Sequence, residues 1–193
     1  MSIAISKQKG KYTYSDYLNW PDDEMWELID GVPFDMSPAP SRQHQKISTE
    51  LVRQFANYLL DKTCEIYDAP FDVRIPQGDE KDEDIDTVVQ PDIVIVCDHN
   101  KLDDRGCKGA PDLIIEILSR NTSKKDLHDK FILYERSGVI EYWVVFPSDK
   151  GIDVYRLNEG HKYELSGKYQ HPDKINVGIF SDLEIDLGLV FKK

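Results

Sequence analysis

The chain has 193 residues, 40% hydrophobic and 31% charged, which is enough for an ordinary folded domain with a core and too apolar for a disordered chain. No apolar run approaches the roughly 18 residues of a membrane span, the opening MSIAISKQKGK lacks a secretory apolar region, and Cys64, Cys97 and Cys107 stand at no metal-ligand spacing, which argues against a disulfide framework or a zinc knuckle and points to a reducing cytoplasm. Asp and Glu number 36 against 24 Lys and Arg, so the net charge of −12 disfavours a protein that grips nucleic acid by charge alone, yet it suits a carboxylate metal site.

Residues 1–12 read as a flexible N-terminal arm, and 13–193 as a single domain with no internal repeat, linker or composition break. Thr13 can cap a short helix through Trp20, with Asp16 in its first turn. Trp26–Ile29 and Val32–Phe34 flank Asp30-Gly31, a hairpin signal because Gly accepts the positive φ of the tight turn. Pro33 keeps the second strand at an edge. Ser37 to Ser41 form a turn and cap for a helix running to about Asp61. Ile47, Leu51, Phe55, Tyr58 and Leu59 are its buried stripe, and His44 lies one turn before Ile47 on the same face.

The period then changes. Residues 64–75, 88–97 and 112–119 read as three strands, the last two apolar enough to be covered on both faces. An acidic run, Asp79 to Asp86, joins the first two and is expected to be a solvated loop. Asp98 to Pro111 is a polar loop. Ser123 can cap a second long helix carrying Leu127, Phe131 and Tyr134 inward, ended by Ser137-Gly138. Glu141–Phe146 is a strand, residues 152–157 and 162–166 form a hairpin, and Phe180, Leu183, Ile185, Leu187 and Val190 let the tail dock. The fold class is α/β (α+β): a mixed central sheet flanked by helices, with an N-terminal hairpin and a strand-rich C-terminal extension.

Two carboxylates sit where carboxylates are costly. Asp92 follows Pro91 at the start of an apolar strand, and Glu116 lies in the middle of another. Brought together on neighbouring strands, they would repel unless a cation bridged them. Oxygen ligands suit Mg²⁺ or Mn²⁺, which can activate water and polarise a phosphoryl oxygen. The bland alternatives are a strand-end carboxylate satisfied by backbone N–H groups for Asp92 and a buried ion pair, with Lys130 as partner, for Glu116. Lys130 on a helix flank can equally pair with Asp126 at the surface.

Gln90-Pro91-Asp92, then Glu116-Ile117-Leu118, then a helix, resembles the PD-(D/E)XK nuclease superfamily. More closely, the chain is similar to the Uma-two family of restriction endonuclease-like proteins. The landmarks are Trp26 to Gly31, Ser37-Pro38 followed by His44, Gln90-Pro91-Asp92, Gly109 to Leu113, Glu116 to Ser119, Asp126 with Lys130 and Tyr134, and Glu141-Tyr142-Trp143. The resemblance implies a restriction endonuclease-like core and a Mg-dependent endonuclease acting on DNA. It makes Asp92 and Glu116 the metal ligands, while Glu27 and His44 complete the site or hold its waters. The superfamily's lysine should stand two residues after Glu116, where this chain has Leu118. Lys130 is the expected substitute from the following helix, with its Nζ within about 6 Å of Glu116; Gln90 is a weaker polar alternative. The same departure, with the net charge, favours a second reading: a catalytically degenerate nuclease fold acting as a nucleic-acid or protein interaction module. Superfamily habit also implies a homodimer.

Overall fold

The computed structural model describes residues 10–21, 25–36, 39–119 and 126–192, the side chains of Asp126 and Leu127 excepted. Thr13 opens the first helix, α1 (Tyr14–Tyr17), and its backbone N–H donates to Asp16 Oδ2 at 3.0 Å. The hairpin forms as expected from β1 (Trp26–Ile29) and β2 (Val32–Asp35), with Asp30 at φ 51° and Gly31 at φ 77° in the turn. Of the expected arm, residues 1–9 lie outside the described residues, and Tyr12 N–H donates to Gly31 O at 2.9 Å.

Ser41 Oγ accepts from His44 N–H at 3.2 Å and starts α2 (Arg42–Leu59). Ser41 thus closes the expected turn and cap, of which Ser37 and Pro38 lie outside the described residues. The segments 64–75 and 88–97 are not single strands. The first divides into β3 (Glu65–Asp68) and β4 (Val73–Arg74), the second into β5 (Val88–Val89) and β6 (Ile93–Val96). In each, a proline stands at the break, Pro70 or Pro91, and a proline nitrogen has no N–H to give a ladder. The chain changes sheets at both points. The polar loop 98–111 holds a small hairpin, β7 (Leu102–Asp103) and β8 (Gly106–Lys108), too short to leave a period in the sequence.

One six-stranded sheet has the order β2-β1-β5-β4-β8-β7. The central sheet contains β9 (Leu113–Ile117), β10 (Glu141–Phe146), β11 (Gly151–Leu157) and β12 (Tyr163–Gln170), in the order β12-β11-β10-β9-β6-β3. Its β9–β10 pair is parallel, so the chain between them must cross over, which it does through a helical segment. That segment is a π-helical turn, Asp126–Lys130, running into α3 (Phe131–Ser137), with Gly138 at φ 87° as the left-handed stop. The expected Ser123 cap falls outside the described residues.

Alternation along β9 explains its continuous apolar run. Leu113, Ile115 and Ile117 face the stripe Ile47, Leu51, Phe55 and Leu59 of α2, together with Trp143. Ile114 faces Val73, Val89, Leu133 and Tyr134 on the other side. Both faces are covered, so both must be apolar. The tail docks as expected: Leu183, Ile185, Leu187 and Val190 join the α2 side of the core, in part through β13 (Lys174–Asn176), β14 (Glu184–Asp186) and α4 (Leu187–Val190).

Two further expectations are corrected. Cys64 and Cys97 form a disulfide. The β3–β6 register pairs Glu65 with Val96, so its next step places the two cysteines opposite each other; the cysteines therefore no longer argue for a reducing compartment. The acidic run is not simply solvated either. Its Asp82 Oδ2 accepts from Nη1 of the fully buried Arg74 at 2.7 Å, and Lys108 Nζ stands 3.5 Å from Asp82 Oδ1. Among the described residues, no helix is long and apolar enough to cross a membrane.

Candidate active site

The register Ile93↔Ile115 between β6 and β9, carried one residue further, sets Asp92 opposite Glu116. Two acids from loop-separated segments therefore take opposed backbone positions at one end of the central sheet. Ile117 N–H donates to Asp92 Oδ2 at 2.7 Å, so backbone at the end of β9 holds the aspartate in place. The other oxygen, Oδ1, lies 3.2 Å from His44 Nε2 in the first turn of α2. His44 and Asp92 are thus brought together by helix start and strand start.

Glu116 shares a face of β9 with Ile114, the side on which the crossover helix lies. Lys130 and Tyr134, four residues apart, both reach it. Lys130 Nζ donates to Glu116 Oε1 at 2.9 Å, inside the expected 6 Å, and Tyr134 OH donates to the same oxygen at 2.7 Å. Lys130 Nζ also lies 2.9 Å from Glu27 Oε1, on β1 of the other sheet. Glu27 Oε1 in turn accepts from Gln90 N–H at 2.9 Å. The ammonium therefore ties the two sheets together.

Exposure decides how to read this cluster. Glu27, Glu116 and Lys130 are 4%, 5% and 4% exposed. Two buried carboxylates share the Lys130 ammonium. Tyr134 adds no charge to them: burial first, then the charges of Glu116 and Glu27, push its phenol well above the usual tyrosine range, so it stays a neutral donor. Among the described residues no group of three or more His, Cys, Asp or Glu is arranged to hold a metal. Mg²⁺, however, is commonly held by one or two carboxylates, with waters and substrate phosphate filling its remaining positions. The oxygen donors Asp92 and Glu116 fit that requirement.

Burial pulls the His44 pKa down, but the hydrogen bond and charge of Asp92, helped by the Ile117 carbonyl, outweigh it and leave it raised above 6.5. A raised folded value means the His44–Asp92 pair adds stability below the unfolded pKa and loses it as pH rises through the folded value. In the metal-free protein, His44→Ala should therefore cost more stability at mildly acidic than at alkaline pH. Urea unfolding of both proteins across that range checks this; an equal gap at both ends would show that Asp92 does not hold the imidazole charged.

Several features were invisible in the sequence. Leu118, in the slot of the superfamily lysine, is partly buried against the apolar cluster under α3, and its N–H donates to Val145 O at 3.0 Å. Gln90 does not turn toward the carboxylates. Its Nε2 donates to Asp72 Oδ1 at 2.8 Å and to Tyr17 OH at 3.0 Å. Tyr134 reads as a core residue, which it is, but its hydroxyl serves Glu116; only an aromatic one turn beyond Lys130 hinted at it. Arg120, Lys124 and Lys125 lie outside the described residues, as does the side chain of Asp126, the surface alternative for Lys130.

The sequence profile of the Uma2 (Uma-two) family, described as putative restriction endonuclease, matches residues 14–188. The chain belongs to the Uma2 family. A curated relative, the uncharacterized protein slr1290 of Synechocystis sp., is 27% identical over 170 residues, covering 86% of this chain and 85% of that one. The crystal structure of a putative nuclease belonging to DUF820 from Anabaena variabilis superposes with a TM-score of 0.72 at 21% identity, covering 93% of this chain and 97% of that one. The Uma2 chain thus has a nuclease fold, and all of its candidate site residues lie within the matched span.

Proposed function

We propose that this Uma2 protein is a Mg²⁺- or Mn²⁺-dependent endonuclease that hydrolyses DNA phosphodiester bonds. The observation that carries the reading is the pair of opposed positions that Asp92 and Glu116 take in the β6–β9 register, with the Lys130 ammonium 2.9 Å from Glu116. Asp92 and Glu116 would hold the cation, which supplies Lewis-acid polarisation of a phosphoryl oxygen and a more acidic bound water. Ile117 N–H and His44 fix the direction of the Asp92 carboxylate. Lys130 brings the positive charge that the superfamily lysine would provide from the Leu118 position, stabilising charge that grows on the phosphate in the transition state. Glu27 and Tyr134 hold Lys130 and Glu116 in register. We also propose that the protein acts as a homodimer in the cytoplasm; a monomeric mass at micromolar concentration would overturn the dimer.

Nicking of supercoiled plasmid tests the activity. The wild type should cut with Mg²⁺ or Mn²⁺ and not in EDTA, and Asp92→Asn, which keeps the side chain's shape, should lose at least about 100-fold in rate. Equal activity in EDTA, or in Asp92→Asn, would overturn the reading. A second reading is favoured by one observation: Glu116 is already compensated by Lys130 and Tyr134, so the cluster can stand as a buried ion pair. In that case the protein is a nuclease-fold interaction module. No cleavage with either metal, with DNA or protein binding retained, would support it.

A further inference from the structure

Beside the carboxylates lies a cavity of ≈ 500 Å³, lined among others by Tyr67, Phe71, Asp72, Gln90 and Arg105. Its size is within the about 300–1,000 Å³ usual for small-ligand sites. It adjoins the proposed active site through covalent neighbours: Gln90 is two residues before Asp92 and gives its N–H to Glu27, and Ala69 N–H donates to Asp92 O at 3.1 Å.

The walls have two characters. Tyr67 and Phe71 stack with ring centroids 4.2 Å apart and planes 7° from parallel, so a flat ring can extend the stack. The same cavity has a polar edge. Tyr17 OH and Gln90 Nε2 both donate to Asp72 Oδ1, at 3.0 and 2.8 Å. Because a carboxylate only accepts, this contact sets which way the Gln90 amide points. Gln90 Oε1 is left buried with no hydrogen bond. Asp72 Oδ2 takes neither of those two donors and is available to accept. The two oxygens of the Asp72 carboxylate lie side by side, and with Oδ2 available that edge suits a ligand with adjacent donors.

The charge disfavours a phosphate here: among the described lining residues Asp72, Asp103 and Asp104 stand against Arg105, even with Asp103 paired to Arg74. A neutral planar ring with adjacent N–H groups fits. Guanine carries N1–H and N2–H₂ next to each other, with O6 as an acceptor for the Arg105 side. Adenine, cytosine and thymine lack that adjacent donor pair.

We propose that this cavity holds an unstacked guanine base of the DNA strand whose phosphate lies at Asp92 and Glu116. The proposal rests on the nuclease reading, and it adds a base preference to it. The guanine ring would lie on the Tyr67–Phe71 stack, and its N1–H and N2–H₂ would meet the Asp72 carboxylate.

Fluorescence anisotropy with a short labelled thymidine oligonucleotide, in Ca²⁺ and in EDTA, provides the test. A single central dG should bind about tenfold more tightly than dT, the scale of one good base contact. Replacing dG by dI, which lacks the 2-amino group, should lose most of that gain with the wild-type protein itself. Asp72→Asn should remove the dG preference, and Phe71→Ala should weaken every purine, provided circular dichroism shows both variants folded. Equal affinity for dG, dI and dT, preference for another base, or no binding at millimolar protein would overturn the proposal. A dG preference without plasmid nicking would leave the pocket and remove the nuclease. Nicking without a dG preference would do the reverse.

Discussion

Lys130→Met should lower stability by about 3–5 kcal/mol, because it removes the ammonium that two buried carboxylates share. For a chain of this size that is a fall in Tm of about 10 °C. From the sequence, Lys130 reads as a helix-flank lysine whose loss would leave the fold intact. The structure corrects this: Lys130 is 4% exposed and sits 2.9 Å from both Glu27 and Glu116. A fold-based loss could masquerade as a catalytic one, so a second variant is needed. Lys130→Met with Glu27→Gln keeps the formal charge of the cluster and spares Glu116. It should recover much of the stability, while metal-dependent nicking stays at least about 100-fold down. Thermal and urea unfolding together with the plasmid assay check both. A single variant that costs under about 1 kcal/mol would mean that the ammonium is not the partner of these acids.

Arg74→Ala should be the other costly change, about 2–4 kcal/mol from lost packing and charge-assisted hydrogen bonds. Arg74 is fully buried, donates to Asp82 at 2.7 Å and to Asp103 at 2.6 Å, and lies over the Tyr14 ring at 5.4 Å. It joins the acidic run to the β7–β8 hairpin. The cost is below that of Lys130 because Asp82 and Asp103 are 22% and 50% exposed and can hydrate once freed. The pH dependence has a definite sign. Burial pulls the Asp103 pKa up, but the Arg74 hydrogen bond and the Arg105 N–H overcome it and leave it lowered from 3.8. A lowered folded value contributes stability above the unfolded pKa and loses it as pH falls through the folded one. The gap between wild type and Arg74→Ala should therefore narrow below about pH 4. Limited proteolysis should also cut Arg74→Ala first within 79–86. A gap that widens in acid, or first cuts elsewhere, would show that Arg74 does not clasp this loop.

The two clusters differ in how they could be seen in advance. Glu116 stood out because a lone acid in Leu113–Ile117 breaks an apolar run, and burial makes that costly. Arg74 carried no such mark: a strand of two residues has no period, and its partners stand 8 and 29 positions away. The disulfide was hidden for a related reason. Cys64 and Cys97 are 33 residues apart, and only the β3–β6 register makes them neighbours.

What the sequence determined by itself was local or periodic. The Asp30-Gly31 turn, the α2 stripe, the doubly covered β9 and the Gly138 stop each follow from the conformational limits of a few adjacent residues or from one repeated spacing. Asp92 and Glu116 were legible as costly carboxylates for the same reason, one at the head of an apolar strand and the other inside one. Lys130 beside Glu116 was expected as well; the tertiary structure decided how that contact is made and added the other partners, Glu27, Tyr134 and His44. Lys130 reaches Glu116 because the crossover between parallel β9 and β10 lays the helix over that face, and it reaches Glu27 because the chain changes sheets near Pro91 and brings β1 alongside. Such contacts depend on the positions of whole sheets, and no spacing along one segment encodes them.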